Sequence, residues 1–308
     1  MKNIILATTA LVATAGLAAA DVSISGYGRF GAVYSDNADE FETASRLRLQ
    51  FDATAETDSG IVFGVRQRFQ AEENGAGTGG NGARFYMTTN GFTLAMGNII
   101  GAVEAAPNLY LPTASAGVGL EGNGFYSVAA STSSNGGRWT AYSSGGAGAQ
   151  EGVEILYSMN GFGVHLHSTD GGTPATKSMG IGANYTFSGY KVALAYEDWD
   201  NGDETLFVSG GGKVGQIDAA IAYAKTEVGG VEADKLSIKG KYDFGTGLSA
   251  YAFVASEDND IGESFGLGAS YDLGGGVSLE GGVTAAENGT SAAAADDTIV
   301  SLGAFFKF

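Results

Sequence analysis

The chain has 308 residues, with 51 Gly, only 3 Pro and no Cys, and 16 basic against 34 acidic side chains give a net charge of −18. Lack of Cys excludes disulfide scaffolds, Cys-ligated zinc, iron–sulfur clusters and thiol catalysis, and the acidity excludes a nucleic-acid surface, which needs a basic face. A hydrophobic content of 44% argues against a disordered acidic chain.

Residues 1–20 read as a secretory signal peptide. Lys2 supplies the positive start, Ile4 to Leu17 a short apolar stretch, and Ala18-Ala19-Ala20 a small-residue cleavage site before Asp21. The apolar stretch is too short and wrongly flanked for a spanning helix. Removing residues 1–20 leaves 288 residues with 15 basic and 34 acidic side chains, a net −19. No later run of about 18 apolar residues offers a transmembrane helix, yet a strand crosses a bilayer in about 10 residues with every other one apolar.

From Asp21 onward the pattern has period two. On the first strand Val22, Ile24, Phe30, Ala32 and Tyr34 share a face, and Ser23, Ser25, Tyr27 and Arg29 share the other. Next, Leu47, Leu49, Phe51, Ala53 and Ala55 alternate with Arg46, Arg48, Gln50, Asp52 and Thr54, and then Ile61, Phe63, Val65, Gln67 and Phe69 with Val62, Gly64, Arg66, Arg68 and Gln70. The chain closes with Val300, Leu302, Ala304, Phe306 and Phe308 against Ser301, Gly303, Phe305 and Lys307. Short turns at Thr57–Gly60, Asn90-Gly91, Asn160-Gly161, Ser188-Gly189, Gly212–Gly215, Phe244–Gly247 and Leu273–Gly276 carry the Gly and Asn that tight hairpins need. They alternate with longer polar connections at 36–41, 74–81, 100–151, 169–177, 199–203, 226–232, 258–261 and 287–297.

This alternation predicts sixteen strands, at 21–35, 42–56, 60–73, 82–89, 92–99, 152–159, 162–168, 178–187, 190–198, 204–211, 215–225, 233–243, 247–257, 262–272, 276–286 and 298–308. Short turns on one rim and long loops on the other are the plan of an antiparallel transmembrane β-barrel, and closure removes the edges of so long a meander. Two strand-like pieces, Phe125–Ala130 and Trp139–Ser143, would raise the number to 18; both are placed in the long third loop. Aromatic residues near strand ends (Tyr34, Phe92, Phe162, Phe187, Tyr190, Tyr242, Phe244, Tyr251 and Tyr271) are assigned to the outward face, as a girdle at the membrane interfaces.

Six of the seven Arg (Arg29, Arg46, Arg48, Arg66, Arg68 and Arg84) fall within the first 84 residues. The first five oppose the apolar face, and Arg84 shares its parity with Tyr86 and Thr88. An Arg facing lipid near the midplane costs about 2–4 kcal/mol, so these side chains are expected to face the lumen as one basic patch. The weaker alternative is a set of solvated strand charges. The chemical motifs are poor by comparison. Gly117 to Gly122 spells GxGxxG without a βαβ unit around it, and His165 and His167 share a strand face without a third ligand. No catalytic signature occurs, so no enzyme is expected. The acidic clusters Asp36, Asp39, Glu40; Glu197, Asp198, Asp200, Asp203, Glu204; Glu257, Asp258, Asp260, Glu263; and Asp296, Asp297 suit a solvated mouth, with structural Ca²⁺ as the alternative.

The opening Ser25-Gly26-Tyr27-Gly28-Arg29-Phe30-Gly31, the late run from Gly266 to Gly276 and the closing Phe305-Phe306-Lys307-Phe308 resemble the general porins of Gram-negative bacteria, of the alphaproteobacterial (Rhodobacter-like) type, across 21–308. The resemblance implies a homotrimer in the outer-membrane lipid. It implies a water-filled channel for passive diffusion of small hydrophilic solutes and ions, with no cofactor. It also implies that Phe308 is the signal read by the barrel-assembly machinery. The third loop would fold into the lumen and set the narrowest point, where Glu104 and Glu121 would face Arg46, Arg48, Arg66, Arg68 and Arg84 in a transverse field. The loop is longer and poorer in Asp than that family's. Acidic mouth and net charge suggest a mild cation preference, which the Arg patch opposes. Rival readings are a non-conducting adhesive or structural barrel, and a calcium-binding β-solenoid, for which no nonapeptide repeat is found.

Overall fold

The computed structural model describes residues 20–72, 79–115, 117–120, 139–142, 144–145, 151–173, 176–258, 262–286 and 297–308. It is a closed, all-antiparallel barrel of sixteen strands. These are β1 (Asp21–Ser35), β2 (Glu40–Glu56), β3 (Val62–Glu72), β4 in two segments (Gly79–Gly80 and Arg84–Thr89), β5 (Phe92–Asn98), β6 (Glu151–Met159), β7 (Phe162–Thr169) and β8 (Ser178–Phe187). They continue as β9 (Tyr190–Trp199), β10 (Glu204–Val214), β11 (Ile217–Val228), β12 (Val231–Asp243), β13 (Leu248–Glu257), β14 (Gly262–Gly274), β15 (Val277–Ala286) and β16 (Asp297–Lys307). Each strand pairs with its sequence neighbours, and β16 closes the wall on β1 from Tyr27↔Lys307 to Ser35↔Ile299. At the seam Gly26 N–H donates to Phe308 O at 2.9 Å, and Phe308 N–H donates back to Gly26 O at 3.1 Å.

The alternation sorts side chains between two solvents. Phe30, Phe63, Phe85, Ile181, Leu194, Ile238, Leu267 and Leu302 all stand exposed on the outside. In water such a belt would be a large apolar liability; in a bilayer it is the required surface. Asn90-Gly91, Asn160-Gly161 and Ser188-Gly189 take positive φ at both positions, as two-residue hairpins demand.

Three expectations are corrected. The connection expected at 226–232 is a two-residue turn, Gly229-Gly230, both at positive φ, so β11 and β12 run on to meet it. The turn expected at Gly212–Gly215 begins later, because Gly210, Gly211 and Gly212 stay in the ladder opposite Ile221, Ala220 and Ala219. Gly211, within the expected strand, makes room for the third loop, since a side chain there would come within 2.9 Å of Asn108 Oδ1. Tyr251 does not join the outer girdle. It is buried inside the barrel beside Val118 and Phe253, because this sector of the inner wall is an apolar dock for the loop. Trp139–Tyr142 is not a strand, and Phe125–Ala130 lies outside the described residues.

The apolar core is not a barrel centre but the contact between the third loop and the wall. One cluster joins loop residues Ala102, Val103 and Leu109 to Ala195, Phe207, Ala222 and Ala224 of β9–β11. A second joins Leu111 and Val118 to Tyr251, Phe253 and Ala286 of β13 and β15.

Candidate functional site

The third loop leaves β5 after Asn98 and is pinned along the inner wall of the barrel. Glu197 of β9, with 0% exposure, receives Val103 N–H on Oε1 at 2.8 Å and Thr140 N–H on Oε2 at 2.7 Å, so one carboxylate holds the outgoing and returning legs. Gly101 N–H donates to Thr140 O at 2.7 Å and ties the legs together. His167 of β7 accepts Ala102 N–H on Nδ1 at 3.1 Å, which requires that nitrogen to be unprotonated. Farther along, Ser209 donates to Pro107 O at 2.7 Å and Lys239 to Leu109 O at 2.6 Å. Leu120 ends the crossing: its N–H donates to Ser301 Oγ at 3.0 Å, and its carbonyl receives Arg29 Nη1 at 3.0 Å. Residues 117–120 of the GxGxxG segment belong to this crossing. Small wall residues make it possible, since a side chain on Gly282 would meet Val118 at 2.6 Å and one on Gly31 would meet Leu120 at 2.5 Å.

On the inner face of β2 and β3 four predicted arginines line up, partly exposed to the lumen among the described residues. Arg46 pairs with Glu72 at 2.8 Å and Arg66 with Asp52 at 2.7 Å. Arg48 and Arg68 have neutral partners instead. Arg48 Nε donates to Gln70 at 2.7 Å with its guanidinium over the Tyr27 ring, and Arg68 Nε donates to Gln50 at 2.8 Å. Arg68 also reaches the returning leg of the loop, donating to Ser144 Oγ at 3.1 Å and lying over Tyr142 at 4.6 Å. The other two arginines stand apart. Arg29, 5% exposed, lies under the loop, and Arg84 is ion-paired with buried Glu154, which also contacts His165 Nε2 at 3.0 Å.

Glu104 lies on the loop. It accepts hydrogen bonds from Tyr110 OH at 2.7 Å and Trp139 Nε1 at 2.6 Å. Burial pushes its carboxyl above the ordinary carboxylate range, against the two donors and the Arg68 charge, which pull it down. Burial and the adjacent Glu104 charge push the Tyr110 phenol up in turn. Glu121 lies outside the described residues.

Sequence reasoning missed the wall acids Asp52, Glu72 and Glu154 as arginine partners, and Glu197, His167 and Lys239 as loop anchors. Inward parity alone could have flagged them. Among the described residues no group of three or more His, Asp or Glu is placed to hold a metal. Several loop acids instead accept backbone N–H groups: Asp36 from Thr298, Asp203 from Gly229 and Asp258 from Asp234, which ties neighbouring hairpins together.

A closed barrel with a lipid-facing exterior and a polar, arginine-lined inner wall, narrowed by an inserted loop, defines an outer-membrane diffusion channel. The family profile of the Gram-negative porins matches residues 7–237, and the chain belongs to that family. It is 28% identical over 254 residues to the porin of Fuscovulum blasticum, covering 77% of this chain and 85% of that one. It is 32% identical over 196 residues to the porin of Rhodobacter capsulatus, covering 60% and 59%. A solved structure of a mutant Rh. blastica porin superposes with a TM-score of 0.78 at 26% identity, covering 94% of this chain and all of that one. The protein is a channel of the Gram-negative outer membrane for passive diffusion of small hydrophilic solutes and ions.

Proposed function

We propose that the selective eyelet lies between Arg46, Arg48, Arg66 and Arg68 on β2–β3 and the loop edge formed by Glu104, Tyr110, Trp139 and Tyr142. The observation that carries this reading is the asymmetry of the lumen: among the described residues the loop is bonded to β7, β9, β10, β12, β16 and β1, but meets the arginine face only at Arg68, through Tyr142 and Ser144, and Arg46, Arg48, Arg66 and Arg68 stay partly exposed. Basic wall and acidic loop form a transverse field that aligns water and dipolar solutes and disfavours apolar ones. No chemical step and no cofactor enter the reading.

The working form is a homotrimer, exported by the signal peptide at 1–20 and inserted by the barrel-assembly machinery through its C-terminal aromatic strand, with Phe308 at the seam. Planar-bilayer conductance of the purified protein, with sugar entry into proteoliposomes, tests the eyelet. Native channels should conduct in steps of three and exclude larger sugars, and Arg66→Ala should raise the sugar cut-off. A barrel that passes neither salt nor a small sugar would instead be the adhesive or structural kind.

A further inference from the structure

We propose that the vestibule on the short-turn side of this channel contains a binding site for small, multiply charged phosphate oxyanions, held by Lys191, Lys213 and Lys239, with Lys241 on the adjoining rung. The inference rests on the channel reading above and adds a solute class to it.

The strand register builds the site. Lys191, Gly211, Ala220 and Lys239 are paired in one inward-facing rung across β9, β10, β11 and β12. The next inward rung toward the turns is Lys213, Asp218 and Lys241. Because Gly211 and Ala220 are small, the first rung has a low floor between two long cationic side chains. A cleft of about 260 Å³ opens there, roofed by Pro107, Asn108 and Tyr110 of the loop. Four of the eight lysines that follow residue 20 thus share two adjoining rungs with one aspartate, in a chain whose overall charge is strongly negative.

Lys239 points to a ligand independently of this count. It is 3% exposed, and its Nζ donates to the Leu109 carbonyl, a neutral acceptor, with no carboxylate paired to it among the described residues. A buried ammonium has three donors and needs a countercharge. The cleft beside it, rimmed by the exposed Lys191 and Lys213, admits one. Phosphate oxygens meet such a set of point-charge donors well, and low-dielectric walls strengthen the attraction relative to open water.

The test is titration of the full-length detergent-solubilised protein with inorganic phosphate, by calorimetry at constant ionic strength, with glucose as the neutral control. Saturable phosphate binding without glucose binding is expected. Lys191→Gln with Lys213→Gln should weaken it roughly tenfold, as the loss of two water-screened unit charges implies. Asp218→Asn removes the one acidic group that lines the cleft among the described residues and should tighten binding, a gain that misfolding cannot mimic. No saturable binding, or equal affinity in the native and doubly substituted proteins, would overturn the proposal. The channel itself is read separately, by KCl conductance. Conduction without phosphate binding removes the site and leaves the pore, whereas phosphate binding without conduction keeps the site and removes the pore.

Discussion

Replacement of Glu197 by Ala is the sharpest probe of how the loop is held. The carboxylate accepts two buried backbone N–H groups, from Val103 and Thr140, at 2.8 and 2.7 Å. Each donor left unsatisfied in a dry setting costs about 1–3 kcal/mol, so truncation weakens the local docking by roughly 2–6 kcal/mol. A shift of about 1.4 kcal/mol is tenfold in population, so the legs at 101–105 and 139–142 should spend a measurable fraction of time detached. The barrel is expected to survive, because the β9 ladder is backbone-bonded and the Ser209, Lys239, Ser301 and Arg29 anchors remain. Glu197→Gln keeps one acceptor oxygen and should show about half the effect. Single-channel recording should register noisier open currents, and proteoliposomes should admit larger sugars, in the order Ala above Gln above native. Native noise and native sugar cut-off in Glu197→Ala, with strand circular dichroism intact, would refute the clamp.

Three further perturbations follow from the same geometry. Gly282→Leu places its Cβ 2.6 Å from Val118 and 2.9 Å from Gly119 N, an overpacking of about 1–3 kcal/mol that should lift 117–120 off β15 and raise the sugar cut-off with the barrel dichroism unchanged. Arg48→Gln and Arg68→Gln remove the two eyelet cations bonded to neutral glutamines, so the reversal potential in a KCl gradient should move toward cation selectivity in both. Glu104 is held above its ordinary value of 4.5 by burial. The folded loop therefore keeps a proton that the unfolded chain releases; the resulting stability is fully present below 4.5 and is lost as pH rises through the raised value. On acidification Glu104 loses its charge ahead of ordinary carboxylates, so anion preference should grow in that window, and Glu104→Gln should abolish the step in a pH series of reversal potentials.

Local patterns made much of the architecture readable from the sequence. Period two assigned Leu47, Phe63 and Leu302 to lipid and the arginines to the lumen, because a strand has only two faces and a bilayer tolerates only one kind of side chain. Asn-Gly and Ser-Gly pairs located hairpins, because positive φ is a property of the residue itself. Where residue type was ambiguous the same reasoning erred: Gly212 read as the start of a turn but lies in a strand, and Tyr251 read as girdle but faces the loop. Tertiary structure alone decided the path of the third loop, since its anchors join residues as far apart in sequence as Leu120 and Ser301, or Val103 and Glu197. It also decided which arginines are neutralised by wall acids and which are not, and how scattered lysines become two adjoining rungs. Alternation specifies inside or outside for each residue. Only the register of a closed wall and the small side chains that admit the loop specify what each inward residue meets across the lumen.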